Sequence, residues 1–177
     1  QGVRAKLWAL LGRMRVRMQI DVGFGDPVVG RPSPRLYPTL LDFPAPSLLG
    51  YTAESTIAEK FEAMVKLGLV NGRLKDYYDI WLLSQHLDFD GETLADAIRQ
   101  TFAYRGTPLV ADAEGLSQVF ADQQQAARAW AAFLARNRLV DAPPNLHDVV
   151  AADASFLRPP TKALVDGSTW SRRWQAP

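Results

Sequence analysis

Residues 16–22 read Val-Arg-Met-Gln-Ile-Asp-Val. Apolar and polar side chains alternate without a break. Val16, Met18, Ile20 and Val22 therefore share one face of a strand, and Arg17, Gln19 and Asp21 the other. No other stretch constrains the fold as much. One strand is not a sheet, and two are marginal in water. The unpaired backbone needs ladder partners, and the apolar face needs a cover. A second copy of the chain or further strands must supply them. Gln1 stands where an initiator Met is usual, which favours strands upstream of it.

Around this strand the periodicity predicts a mostly helical chain. Val3, Leu7, Leu10, Leu11 and Met14 recur at helical spacing, with Arg4, Lys6 and Arg13 off that stripe, so residues 3–14 read as a helix. Gly23, Gly25, Asp26 and Pro27 end the strand. Six prolines between residues 27 and 50 forbid a long helix there and favour extended chain. Residues 37–43 fit a short edge strand interrupted by Pro38. From about residue 51 the period turns helical. Ile57, Phe61, Met64 and Leu67 form one stripe, stopped by Gly68 and Asn71-Gly72. Further helices are expected over 73–86, around Leu94–Phe102, over 114–137 and over 145–157. Pro159-Pro160 would end the packed part and leave a loosely held tail. The expected organisation is α+β, mostly α, with boundaries at 1–50, 51–158 and 159–177.

Composition excludes several classes of function. The 177 residues contain no cysteine, which removes disulfide scaffolds, thiol nucleophiles and thiolate zinc sites. Lys and Arg (20) nearly balance Asp and Glu (19), so no overall charge drives binding to nucleic acid or membrane; such binding needs a local patch. Only two histidines are present, His86 and His147. No apolar run reaches the length of a membrane span, and residues 1–20 are too basic for a signal peptide. A cytoplasmic protein is expected.

Three groups of residues carry chemistry. Asp21 lies on the polar face of the strand, either as a solvent-facing acid or as a metal-binding carboxylate on a rigid element. Glu59 and Lys60 flank the apolar stripe of Ile57 and Phe61. Asp76 and Asp79 share a helix face, and Lys75 and Asp79 are spaced as a surface pair. Each group alone is explained by ordinary surface electrostatics. Their combination is more specific: an Ile-Asp strand (Ile20-Asp21), then Ala58-Glu59-Lys60, then Lys75-Asp76-Tyr-Tyr-Asp79.

With these motifs the chain resembles the AbiEii/AbiGii nucleotidyltransferase toxins, a branch of the polymerase-beta-like nucleotidyltransferases. The resemblance starts at Gln19–Asp26, runs through Tyr37-Pro-Thr-Leu-Leu and Tyr51-Thr-Ala-Glu54 to Asp79-Ile80, and weakens over the later helices. It implies the end of an α/β nucleotidyltransferase domain followed by a helical domain. The implied activity is transfer of a nucleoside monophosphate from an NTP, with Mg2+, to an acceptor such as tRNA, in a toxin–antitoxin or abortive-infection system with a cognate antitoxin. By position Asp21 would be the third metal carboxylate. Lys60 would contact phosphate, with Lys75 beside it, and Asp76 and Asp79 would organise the pocket. The family's Gly-Ser turn and Asp-x-Asp pair do not precede Asp21 here; Asp88-Phe89-Asp90 comes after the strand, in the wrong order. The first catalytic motif is thus expected outside this chain. The basic run Arg4, Lys6, Arg13, Arg15 and Arg17 is either an acceptor surface or a solvated face. A non-catalytic helical interaction module is the alternative reading.

Overall fold

The computed structural model describes residues 2–177. The alternating stretch lies in β2 (Met14–Gly23). Its partner is β1 (Gly2–Leu11), antiparallel, in a register running from Gly2 opposite Gly23 to Leu11 opposite Met14. The helix expected over residues 3–14 is therefore a strand. Val3, Ala5, Leu7, Ala9 and Leu11 also fit a period of two, and the small alanines had masked it. The turn decides between the two periods. Gly12 takes φ 58° while Arg13 stays at negative φ. That is the type II′ pattern, whose twist matches a hairpin, and it sets β1 beside β2 after only two residues.

The register places Val3 against Val22, Ala5 against Ile20, Leu7 against Met18, Ala9 against Val16 and Leu11 against Met14. One face of the hairpin is thus wholly apolar, and among the described residues no helix packs on it. Val16 and Ile20 are 50% and 51% exposed. The opposite face pairs Arg4 with Asp21, Lys6 with Gln19, Trp8 with Arg17 and Leu10 with Arg15.

A second small hairpin joins β3 (Ser33–Leu36) to β4 (Ser47–Gly50). The strand expected over residues 37–43 does not form. Pro38 offers no backbone donor, and the extended chain pairs on either side of that segment instead, closed by Tyr37 N donating to Pro46 O at 2.9 Å.

The helical body contains α1 (Ala53–Leu67), α2 (Leu74–His86), α3 (Gly91–Arg105), the short α4 (Gln118–Ala121), α5 (Gln124–Asn137) and α6 (Leu146–Val165). The α+β, mostly α class holds. Thr52 caps α1 by accepting from Ser55 N, and Asp90 caps α3 by accepting from Thr93 N at 2.9 Å. The apolar stripes meet in one core, with Ile57, Phe61, Tyr77, Ile98, Phe120 and Trp130 each at most 1% exposed. The linker after β2 docks on this body. Val29 is buried, its N–H donates to Ser55 Oγ at 2.9 Å, and its carbonyl accepts from Thr52 Oγ1 at 2.7 Å.

Three further expectations fail at the C-terminal end. The helix expected over 114–137 is broken into a 3₁₀ turn (Glu114–Leu116), α4 and α5. Ser117 is the reason: its side chain caps Phe120 N, which starts a new helix instead of continuing the old one. Conversely, α6 runs through Pro159 and Pro160. Proline removes helical donors there, but Leu157, Pro160 and Thr161 are buried, and tertiary packing holds the helix through the break. The tail is tied down as well. Trp174 and Phe89 exchange backbone hydrogen bonds at 3.0 Å, Trp174 Nε1 donates to Ser84 O at 2.9 Å, and the Trp174 ring lies 4.8 Å from that of Phe156.

Candidate functional site

The site is built where α1 meets α2. Lys60 sits midway along α1 on the flank of the buried Ile57–Phe61 stripe, and its side chain is largely covered. Asp76 lies in the first turn of α2, where the helix dipole favours a carboxylate, and Asp79 follows on the same face. Lys60 Nζ donates to Asp76 Oδ1 at 2.8 Å and lies 2.6 Å from Asp79 Oδ2. Asp79 Oδ2 also accepts from Lys75 Nζ at 2.5 Å. Arg73 Nε approaches Asp76 Oδ2 to 2.7 Å, yet that buried oxygen has no well-aligned hydrogen bond.

Burial divides this group into an inner and an outer layer. The side chains of Asp76, Lys60 and Asp79 are 5%, 17% and 19% exposed, whereas Arg73 and Lys75 are mostly solvated. Desolvation works against the Lys60 charge. The hydrogen bonds and charges of Asp76 and Asp79 outweigh it and raise the Lys60 pKa above the ordinary lysine value. Lys60 is therefore a fixed ammonium. It has three donors, of which the two aspartates engage two.

The structure brings together four of the five residues to which the resemblance assigns a role: Lys60, Lys75, Asp76 and Asp79. Asp21 stands elsewhere, on the polar face of the β1–β2 hairpin. It accepts from Arg4 Nε at 2.6 Å and from Gln19 Nε2 at 2.8 Å. The Arg4 hydrogen bond, then that of Gln19, holds its pKa below the usual carboxylate value. Among the described residues no hydrogen bond or ion pair links Asp21 to Lys60, and no group of three or more His, Asp or Glu side chains is placed to hold a metal ion. Asp21 offers a single carboxylate, so the residues present do not by themselves make a metal site.

Asp88 and Asp90 have structural work. Asp90 caps α3, and Asp88 pairs with Arg173 at 3.3 Å and accepts from Ala176 N at 3.1 Å. One cluster escaped the sequence reading. Arg105, in the last turn of α3, lies 3.4 Å from Asp26, 3.1 Å from Glu59 and 3.0 Å from the buried Glu62, which also accepts from Thr107 Oγ1. It ties α1, α3 and the linker after β2 together beside Lys60. Its members are spread from residue 26 to 107, so local spacing carries no signal of it.

A family model for the nucleotidyl transferase AbiEii toxin of type IV toxin–antitoxin systems matches residues 1–152. The chain belongs to the AbiEii family. Membership brings with it a nucleotidyltransferase toxin that uses an NTP and a divalent metal and is paired with an antitoxin. The match takes in both the hairpin with Asp21 and the α1–α2 site of this AbiEii-family chain. No curated protein and no solved structure matches it significantly. No helix is long and apolar enough to cross a membrane among the described residues.

Proposed function

We propose that this chain takes part in Mg2+-dependent transfer of a nucleoside monophosphate from an NTP to a nucleic-acid acceptor such as tRNA, as the cytoplasmic toxin of a toxin–antitoxin pair. The observation that carries this reading is the convergence of Lys60 with Asp76 and Asp79 from two helices. Two carboxylates fix the ammonium and leave its third donor for a phosphate oxygen. Lys75, at the solvent edge, adds charge for the same phosphates. A bound triphosphate gains more from a fixed cation than from a mobile one, because the ordering cost is already met.

Asp21 contributes one carboxylate to the metal centre in this reading. Among the described residues no further carboxylates complete such a centre around Asp21, and the uncovered apolar face of β1–β2 is open to a covering partner. Residues 1–50 are then part of the catalytic domain, and the helices from residue 51 form the domain that holds Lys60. A second reading, a non-catalytic interaction module, draws support from the charge balance at Lys60, which two aspartates already neutralise.

The test is transfer of labelled nucleotide to bulk tRNA by the intact protein, its Asp21→Asn variant and its Asp79→Asn variant, with melting curves alongside. The nucleotidyltransferase reading expects transfer to fall by at least about a hundredfold in both variants, the scale of a lost transition-state electrostatic contact, while both remain folded. Undiminished turnover in both variants would remove Asp21 and Asp79 from the site, and absence of transfer by the wild-type protein would favour the interaction module instead.

A further inference from the structure

The polar face of β1–β2 gathers most of the positive charge in the N-terminal part of the chain. Gly2–Gly23 contains Arg4, Lys6, Arg13, Arg15 and Arg17 against a single acid, Asp21, for a net charge of +4. The whole chain carries +1, so the remaining residues carry −3. Arg4 is engaged by Asp21 at 2.6 Å. Among the described residues Lys6, Arg15 and Arg17 have no recorded ion pair, although the body of the chain carries an excess of acid. In the midst of them stands Trp8, directly opposite Arg17 and 63% exposed. An indole on a solvated sheet face gains nothing from the core of its own chain. Flanked by unpaired cations, it is a platform for a flat ligand that also bears negative charge.

We propose that this face is a docking surface for single-stranded nucleic acid, with one base stacked on Trp8 and the backbone phosphates held by Lys6, Arg15 and Arg17. A hairpin repeats its same-face side chains about every 7 Å. The rungs Arg4/Asp21, Lys6/Gln19, Trp8/Arg17 and Leu10/Arg15 therefore form a track about 20 Å long that begins at Asp21. A single strand presents its bases and its phosphates together, whereas a duplex hides its base faces in the stack. Charge alone would accept either, and the exposed indole selects the former. The binding surface itself does not depend on nucleotidyl transfer. Only the polarity of the track rests on the proposed function, which places the reacting end of the strand at Asp21.

The experiment is fluorescence anisotropy of the full 177-residue chain with a labelled 12-nucleotide single-stranded RNA, without nucleotide and with EDTA present, across a salt series. Binding by the wild type is expected to weaken with salt. Trp8→Ala should weaken it about tenfold and Trp8→Phe should restore most of the loss, which a merely electrostatic patch would not do. Arg15→Glu with Arg17→Glu should weaken it at least tenfold and flatten the salt dependence by more than one unit of slope, since each lost phosphate contact removes about 0.7. Helical melting should be unchanged, because among the described residues no helix packs on the hairpin. Indifference to Trp8→Ala would overturn the proposal, as would tighter binding of the corresponding duplex or equal competition by polyglutamate or anionic vesicles. Because metal and nucleotide are absent, failure here leaves the Asp21 and Asp79 transfer result standing, and the reverse also holds.

Discussion

The two hairpins and the helical body obey the same hydrophobic patterning with opposite results. In the body, Ile57, Ile80 and Ile98 are fully buried. In the first hairpin, Val16, Met18 and Ile20 form an equally regular stripe, yet each is about half exposed. The second hairpin leaves Leu36 and Leu49 75% exposed. Regular alternation specifies which side chains share a face. It does not supply the layer that covers the face, and two strands without a covering layer are marginal in water. The body buries its own stripes in one core, while the hairpins leave theirs exposed. The candidate chemistry is divided along the same line, with Lys60, Asp76 and Asp79 in the body and Asp21 on the hairpin.

The largest consequence of this contrast concerns local stability. Amides of β1 and β2 should exchange with solvent at least about a thousandfold faster than those of Ile57, Tyr77 and Ile98, because opening a hairpin with no tertiary packing costs little and opening the core costs nearly the global stability. Hydrogen exchange read by NMR or mass spectrometry gives both numbers in one sample. Equal protection would mean that the hairpin already has its cover.

A smaller effect separates the charged residues of the two regions. Asp76→Ala should destabilise the body by about 2 kcal/mol. That is below the usual cost of breaking a buried pair, because Asp79 remains beside Lys60. Asp21→Asn should leave the melting temperature unchanged, since Asp21 is solvent-exposed. Thermal melts of the two variants make the comparison. A similar loss in both would mean that the hairpin is integral to the cooperative unit.

Within the body, Asp153 offers a pH-dependent test. It is fully buried on α6, its two carboxylate oxygens have no hydrogen-bond partner, and burial pushes its pKa well above the ordinary value. A carboxyl that is neutral in the fold and ionised in the unfolded chain favours the fold most at low pH. That contribution is complete below the unfolded value and is lost as pH rises towards the folded one, at up to about 1.4 kcal/mol per pH unit. Asp153→Asn should remove this slope, so that the variant is more stable than the wild type at pH 8 and little different at pH 4. Parallel melting curves across that range would show that Asp153 is not held neutral.

Much of the site was legible because its spacing is local. Asp76 and Asp79 share a face by helical geometry, and Lys75 and Asp79 pair as neighbouring turns allow. Lys60 needed the additional fact that α1 and α2 are consecutive and packed. What escaped was non-local or depended on competing periods. Alanine at positions 5 and 9 left the first strand open to a helical reading, and only the Gly12 turn and the pairing with β2 resolve it. The prolines in α6 and the anchoring of Trp174 turn on packing between segments far apart in sequence, as at Phe89 and Phe156. The Arg105 cluster is invisible for the same reason. The mostly helical class survived these errors because the stripes of α1, α2, α3 and α6 are strong.

The central claim is that Lys60 is a fixed cation aimed at phosphate. The most direct measurement is calorimetric titration of a non-hydrolysable nucleoside triphosphate with Mg2+ into the intact protein and its Lys60→Arg variant, at matched ionic strength. Arginine can satisfy both aspartates with its planar fork and so preserve the fold, but it cannot place a compact ammonium donor towards the ligand. The account predicts binding about tenfold weaker in the variant, with melting nearly unchanged. Equal affinity for wild type and variant would contradict it.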